Sequence, residues 1–162
     1  MLWAAYSDLT RYILPNTLCL ATALLYPLYI FSTYIDGHGL PLEDIFIALA
    51  IAVAIFAVCA GFFALNIMGG GDVKLLPAVA LWAGASHVLP YLFITSMAGG
   101  LIAIVIIVIN RVKASKYHKS SENINLSMAQ KEISAVPYGI GIAFGGLYVA
   151  FQLFATFNQR IP

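Results

Sequence analysis

The sequence feature that most constrains this chain is a set of four long segments without a charged side chain. Asp, Glu, Lys and Arg are absent from 12–35, 45–71, 75–110 and 133–159. A helix needs about 20 mostly apolar residues to cross the hydrocarbon core of a membrane, and each segment is long enough. Only 9% of the 162 residues are charged and 62% are hydrophobic, whereas soluble domains carry about 25% charged residues. The chain is therefore predicted to be an integral membrane protein.

Three of these segments each predict one spanning helix, over about 12–31, 45–65 and 137–157. The fourth is different, because a straight helix over 75–110 would reach about 54 Å and a hydrocarbon core is about 30 Å thick. Turn-forming residues lie near its middle: Gly84, Ser86, His87 and Pro90. We therefore expect two shorter spans, about 74–88 and 90–110, joined by a tight hairpin.

The predicted fold class is all-α, a polytopic transmembrane helical bundle with five full spans and a short or truncated first helix. The whole chain, 1–162, is expected to form a single membrane-embedded domain. The first helix is expected to be short because only Met1–Ser7 precede the acidic Asp8. No basic residue begins this segment and its apolar stretch is short, so a signal peptide is not expected.

The distribution of charge predicts which side of the membrane each connection faces. The connection 32–44 carries three acidic residues and no basic ones, whereas 111–132 carries five Lys and Arg residues. The positive-inside rule places 111–132 in the cytoplasm as a basic loop, where it could also contact anionic lipid headgroups. Counting spans backwards places 66–74 in the cytoplasm as well. Seven of the eight basic residues then lie on the cytoplasmic side, and only Arg160 lies outside.

Several classes of function and site are disfavoured by composition. The net charge of +1 predicts no nucleic-acid partner. Cys19 and Cys59 lie inside apolar runs, so they are predicted to be buried as small hydrophobic side chains rather than joined in a disulfide. No metal site is expected, because the three histidines fall on separate connections without ligand spacing: His38, His87 and His118. Two glycine pairs are predicted to be helix-packing faces: Gly99-Gly100 and Gly139-x-Gly141.

Asp72 is the first of two acidic residues that could carry chemistry. It follows Gly69-Gly70-Gly71 and falls at the predicted cytoplasmic boundary. Glycines allow one backbone to approach another closely, so this turn could hold the carboxylate against a neighbouring helix or an extended peptide. The alternative is structural: Asp72 could be the N-cap of a helix that begins at Val73.

Asp8 is the second, and it also adjoins an apolar segment at the predicted cytoplasmic boundary. Its structural alternative is a surface ion pair with Arg11, three positions later. Ionisable groups at membrane depth are costly and usually functional. If Asp8 and Asp72 meet across the bundle, they cannot both ionise, and one pKa rises while the other falls. Such a pair provides a general base and a general acid for amide hydrolysis.

The motifs around both aspartates resemble those of type IV prepilin peptidases. Gly69-Gly70-Gly71-Asp72-Val73-Lys74-Leu75 is similar to their GxGD signature. Asp8, followed by Arg11 and Pro15-Asn16, resembles the first aspartate of the family with its trailing motif. Val136-Pro137-Tyr138-Gly139 resembles the start of the family's last span. The small size is similar to that of minimal Tad-type members, which process Flp-type pilins.

The resemblance implies a function and assigns roles to residues. Asp8 and Asp72 would be the catalytic pair, and the surrounding motif residues would position the substrate: Gly69, Gly70, Gly71, Lys74, Arg11, Pro15 and Asn16. The substrates would be N-terminal segments of prepilins and pseudopilins, cut just after a glycine at the cytoplasmic face of the bacterial inner membrane. No cofactor is implied. Larger members carry a zinc-binding tetracysteine insert and N-methylate the product, and this chain lacks those cysteines.

Two alternatives remain open on the sequence alone. The chain could be a non-enzymatic membrane protein, such as a small transporter or an assembly subunit, in which Asp72 binds a cation or caps a helix. It could also be a presenilin-like protease that cuts within substrate spans, since such proteases share the GxGD motif. They resemble this chain less, because Tyr6-Ser7-Asp8 replaces their Tyr-Asp and no Pro-Ala-Leu motif follows.

Overall fold

A computed structural model describes residues 16–37, 39–117 and 138–158, which form four α-helices and no strand. The helices are α1 (Asn16–Ile35), α2 (Leu42–Ala64), α3 (Gly70–Tyr117) and α4 (Tyr138–Asn158). Each contains a stretch long and apolar enough to cross a membrane. The prediction of an all-α, multi-pass membrane protein is therefore confirmed, and the predicted spans 12–31, 45–65 and 137–157 overlap α1, α2 and α4.

Both ends of helix α2 are stabilised by features that are typical of helix termini. Glu43 and Asp44 lie in its first turn, where the positive end of the helix dipole favours negative charge. At its other end, the amide of Ile67 donates to the carbonyl of Phe62 at 3.0 Å, and the amide of Asn66 donates to that of Phe63 at 2.9 Å. Asn66 has φ +56°, so these bonds form a Schellman motif. The motif turns the chain towards the glycines that begin α3.

Helix α3 is broken at Gly84, whose φ of +57° and ψ of −170° are not helical. The hydroxyl of Tyr91 donates to the carbonyl of Leu76 at 3.1 Å, although 15 positions separate the two residues. In a straight helix they would lie about 22 Å apart. The chain therefore folds back at Gly84 into a first arm, 70–83, and a second arm, 85–117. The predicted hairpin is present.

The hairpin differs from the prediction in its position and depth. The predicted joint lies near residue 89, but the reversal occurs at Gly84, because only glycine readily adopts this backbone conformation. The first arm is about 21 Å long, shorter than a hydrocarbon core of about 30 Å. Near its end the indole of Trp82 donates to the carbonyl of Thr22 at 2.8 Å, and α1 continues to Ile35. The turn thus lies partway along α1, and five full spans are not confirmed.

The second arm also continues beyond its predicted end. The span was expected to stop at 110 and to give way to the basic loop 111–132, but the helix extends to Tyr117. Lys, Ala and Arg favour helix, and no Gly or Pro interrupts this stretch. The remainder of the predicted loop, 118–132, lies outside the described residues, as does the expected short first helix.

The core is built around the first arm of α3. In the described part of the chain, each of the other helices packs mainly against α3. The first arm contributes the most buried residues to the core cluster, with α1, the second arm and α4 supplying the rest. The core residues of the first arm are Leu75, Val79, Ala80 and Ala83. The first arm, which carries Asp72 in its first turn, therefore lies at the centre of the packed core.

Helix α4 packs against the second arm through glycines. A methyl group on Gly141 would lie 2.8 Å from the Thr95 carbonyl oxygen and 2.9 Å from the Gly99 nitrogen. The predicted packing role is therefore confirmed for Gly99 and Gly141, whereas Gly100 faces open space. Cys19 and Cys59 are buried, as predicted.

Candidate active site

Asp72 is buried in the first turn of α3. Its side chain is 8% exposed, and no other acidic residue in the described ranges is buried. The helix begins at Gly70, and the amide of Val73 donates to the carbonyl of Gly69 at 3.2 Å. The alternative in which Asp72 is the N-cap of a helix beginning at Val73 is therefore wrong. Gly70 and Gly71 are already helical, so Asp72 is the third helical residue.

The glycines before Asp72 leave room for the carboxylate and for a neighbouring ring. A methyl group on Gly69 would lie 3.2 Å from the Oδ2 atom of Asp72. A methyl group on Gly70 would lie 3.3 Å from the Cε2 atom of Phe63 on α2. Side chains here would press on the carboxylate and on the Phe63 ring, and each neighbour would have to shift by a few tenths of an ångström. The sequence prediction that these glycines allow a close approach therefore agrees with the geometry at Gly69 and Gly70.

The position of Asp72 at a helix start places it among backbone donors. Backbone N–H groups in the first turn of a helix have no partner within the helix, and they carry partial positive charge. These groups suit an acidic side chain in this turn. Asp72 also lies close enough to the thiols of Cys19 and Cys59 for its charge to act on both. The site thus lies where α1, α2 and α3 meet.

Two of the predicted motif residues meet across α1 and α3. The ammonium of Lys74 donates to the Oδ1 atom of Asn16 at 2.9 Å, and both residues are exposed. Nearby, the thiol of Cys19 lies 3.8 Å from the carbonyl oxygen of Gly71. These contacts join the beginning of α1 to the turn that carries Asp72. Three further predicted site residues precede Asn16 and lie outside the described residues: Asp8, Arg11 and Pro15.

A groove of about 560 Å³ opens between α1, α2 and the first arm of α3. Asn16 and Lys74 lie at its polar end, which is the end that holds Asp72. Ala23 and Leu81 line it seven positions further along their helices, or about 10 Å away. The volume falls within the range of about 300–1,000 Å³ that is usual for binding sites. The groove is thus large enough to hold several apolar side chains.

Sequence reasoning did not identify the walls of this groove. Cys19 was expected only to be buried, yet it contacts the turn before Asp72 and also lines the groove. Small residues on the three helices create the space: Ala23, Ala52 and Ala78. Alanines are common in apolar helices, so their number alone gives no signal. The sequence did contain one indication of the groove. The three alanines lie on three apolar segments, and each of these segments begins or ends near one of the two motifs.

The histidines contribute no metal site in the described part of the chain. No group of three or more His, Cys, Asp and Glu side chains there could hold a metal ion. The ring of His87 lies 6.5 Å from that of Tyr148, centroid to centroid, in an edge-on arrangement. His87 therefore packs on α4, away from Asp72.

A comparison with curated proteins gives no match, and neither does a comparison with solved structures. A family model described as the type IV leader peptidase family matches residues 1–104. The matched region includes both predicted aspartates, all of α1 and α2, and the hairpin of α3. The chain therefore belongs to the type IV leader peptidase family.

Proposed function

We propose that this protein is an aspartyl endopeptidase that removes the leader of type IV prepilins, with Asp8 and Asp72 as its catalytic pair. Membership of the family implies peptidase activity on prepilin substrates. The observation that carries the aspartyl mechanism is the burial of the Asp72 side chain in the first turn of a helix. A buried carboxylate has a structural cost, and participation in catalysis gives a chemical reason for it.

The mechanism requires a second carboxylate near Asp72. Asp8 is the candidate, because it lies eight positions before Asn16 and Asn16 is bonded to Lys74, two positions after Asp72. Eight residues reach at most about 28 Å when extended and about 12 Å as a helix, so Asp8 can reach the site. The ionised partner then takes a proton from a water molecule, which attacks the scissile carbonyl. The protonated partner donates its proton to the carbonyl oxygen, which gives a gem-diol. As the C–N bond breaks, the proton taken from water passes to the leaving amine, and the second partner recovers its proton from a gem-diol hydroxyl.

The substrate and the orientation in the membrane complete the proposal. We expect a Flp-type prepilin, as in Tad systems, to be cut just after a glycine at the cytoplasmic face of the inner membrane. Because α3 folds back at Gly84, both of its ends leave the hairpin on the same side. This supports the assignment of 66–74 and 111–132 to one side, where basic residues favour the cytoplasm.

Replacing either aspartate tests the catalytic proposal. Asp72→Asn and Asp8→Asn should each slow leader removal from a coexpressed prepilin by at least about 100-fold, because each removes a proton-transfer group. Immunoblotting of precursor and mature pilin measures the effect. Asp44→Asn is the matched control, since Asp44 also lies in the first turn of a helix but is exposed. Normal processing by Asp72→Asn would exclude the mechanism.

The position of the cut separates this proposal from the presenilin-like alternative. Mass spectrometry of the mature pilin should find a new N-terminus immediately after a glycine and before the apolar segment. A cut deep within that segment would instead identify an intramembrane protease. A non-enzymatic membrane protein would leave the precursor intact at every level of expression.

A further inference from the structure

The groove between α1, α2 and the first arm of α3 lies at membrane depth and is open to its surroundings. Its walls belong to three helices that are apolar enough to span a membrane. Leu20, Val53 and Phe56 line it and are 59%, 60% and 47% exposed, so the described part of the chain leaves its rim uncovered. At this depth the surroundings are lipid acyl chains rather than water. The groove therefore suits an apolar occupant from the bilayer.

The size of the groove favours a hydrocarbon chain over a helix. Its two lining rows, 16–23 and 74–81, each run for about 10 Å. A volume of about 560 Å³ over that length corresponds to a cross-section of roughly 56 Å². A helix with its side chains is about 10–12 Å wide, so its cross-section is roughly 80–110 Å². An acyl chain is narrower than a helix, and it has no backbone hydrogen bonds to satisfy in the membrane.

The polar end of the groove suits a phosphate group. Asn16 begins α1 and Lys74 lies close to the start of α3, so this end lies at the membrane boundary. The ammonium of Lys74 donates to the Oδ1 atom of Asn16 at 2.9 Å, and both side chains are exposed. Because the Asn16 amide is uncharged, this bond does not neutralise the ammonium. Lys74 keeps two further donors and the Asn16 amide keeps its own N–H donors, all available to phosphate oxygens.

Charge and shape together identify the occupant. Basic pockets between transmembrane helices bind phospholipid head groups at the membrane surface. We propose that this groove binds an anionic phospholipid of the bilayer, with its phosphate at Lys74 and Asn16 and one acyl chain along the apolar walls. A zwitterionic headgroup carries its own ammonium, which repels Lys74, so the anionic headgroup is preferred. The bound lipid fills the space that the three helices leave between them.

Photolabelling without a prepilin tests this site independently of the proposed peptidase function. The protein is placed in phosphatidylcholine vesicles with a probe lipid that carries a diazirine in one acyl chain. The probe is either phosphatidylglycerol or phosphatidylcholine, and mass spectrometry of peptides locates the adducts. The phosphatidylglycerol probe should label the two lining rows, 16–23 and 74–81, roughly fivefold more than the phosphatidylcholine probe, because one Lys near an anionic lipid surface contributes an attraction of about that size.

Other labelling results for the wild-type protein would overturn the proposal. Equal labelling of the groove by the two probes would show that it does not select an anionic headgroup. Lipid adducts that miss the lining rows would show that another part of the protein, or nothing from the bilayer, occupies the groove. This comparison needs no variant, so it does not depend on how a substitution affects folding.

Variants of Lys74 test the headgroup contact. Lys74→Gln should be labelled equally by both probes, whereas Lys74→Arg should keep the preference because it keeps the charge. Arg111→Gln is the matched control, since it removes an exposed basic residue that does not line the groove, and it should also keep the preference. A fivefold preference that survives in Lys74→Gln would overturn the proposal.

Filling the groove tests the position of the acyl chain. Ala23→Trp places an indole in the groove, whereas Ala21→Trp places one on the exposed face of the same helix. The Ala23 variant should be labelled severalfold less by the phosphatidylglycerol probe than the Ala21 variant, because the indole takes the space of the acyl chain. Equal labelling of the two variants, with equal amounts of protein in the vesicles, would overturn the proposal.

Discussion

Gly84 is the residue on which the shape of α3 depends. Its φ of +57° and ψ of −170° lie close to a region that only glycine occupies readily. A methyl group there would meet no atom within 4 Å, so the requirement for glycine is conformational rather than steric. Gly84→Ala should therefore lower the free energy of unfolding by about 1–3 kcal/mol. Thermal unfolding in detergent, followed by circular dichroism, measures the change.

Gly61→Ala is the control for this prediction. A methyl group on Gly61 also has open space, but Gly61 lies inside the regular helix α2. Alanine favours helix more than glycine does, so this variant should unfold at the same temperature as the wild type or slightly above it. Equal losses of stability in both variants would mean that Gly84 is not strained.

At the residue scale, the motifs predict which residues come together better than they predict local backbone geometry. Lys74 and Asn16 belong to two different motifs that were predicted to form one site, and the hydrogen bond between them agrees with that prediction. The sequence did not show that Asp72 is inside the helix rather than at its cap. Glycine has a low helix propensity, so Gly70 and Gly71 suggested a turn. In the fold, Gly70 lies against Phe63 on α2, and the local sequence does not predict such a contact.

At the element scale, the contact between α4 and the second arm of α3 depends on the absence of side chains. A methyl group on Gly141 would meet backbone atoms of Thr95 and Gly99 at less than 3.0 Å. Backbone cannot rotate away as a flexible side chain can, so the two helices would have to separate. Gly141→Ala should lower the free energy of unfolding by about 1–3 kcal/mol, measured as a fall in the thermal midpoint in detergent.

Gly100→Ala provides the matched control within the same pair of helices. Gly100 is adjacent to Gly99, but a methyl group on it would meet nothing within 4 Å. We expect its thermal midpoint to equal or exceed that of the wild type. A comparable loss in the Gly100 variant would show that helix flexibility, rather than the close contact, explains the requirement for glycine.

This difference between neighbouring glycines also shows what the sequence could not predict about the helices. Both residues belonged to a predicted packing pair, yet only Gly99 contacts α4. In a soluble helix, polar residues identify the exposed face. In a membrane helix, the lipid-facing side is as apolar as the packed side, so the pattern does not indicate which face is buried. The groove was missed for the same reason, since its walls are as apolar as the outer surface.

At the scale of the whole molecule, the distribution of charge predicts which end of the bundle faces the cytoplasm, and the apolar pattern does not. Acidic residues lie at the start of α2, whereas Lys74 lies beside Asp72 at the opposite end of the bundle. We expect the Asp72 end to face the cytoplasm. A membrane-impermeant thiol reagent should label Glu43→Cys in spheroplasts and should label Ile67→Cys only after permeabilisation. The native Cys19 and Cys59 should add little background, because each is 5% exposed.

The same labelling measures how far the hairpin of α3 enters the membrane. The first arm is bonded to α1 at Thr22, and α1 continues to Ile35, about 20 Å further. Ser86, just beyond the turn, should therefore lie within the membrane, and Ser86→Cys should react slowly from either side. Labelling of Ser86→Cys as rapid as that of Glu43→Cys in spheroplasts would show that both arms cross fully. In either case the two ends of α3 return to one face, which keeps the basic loop on the same side as Asp72.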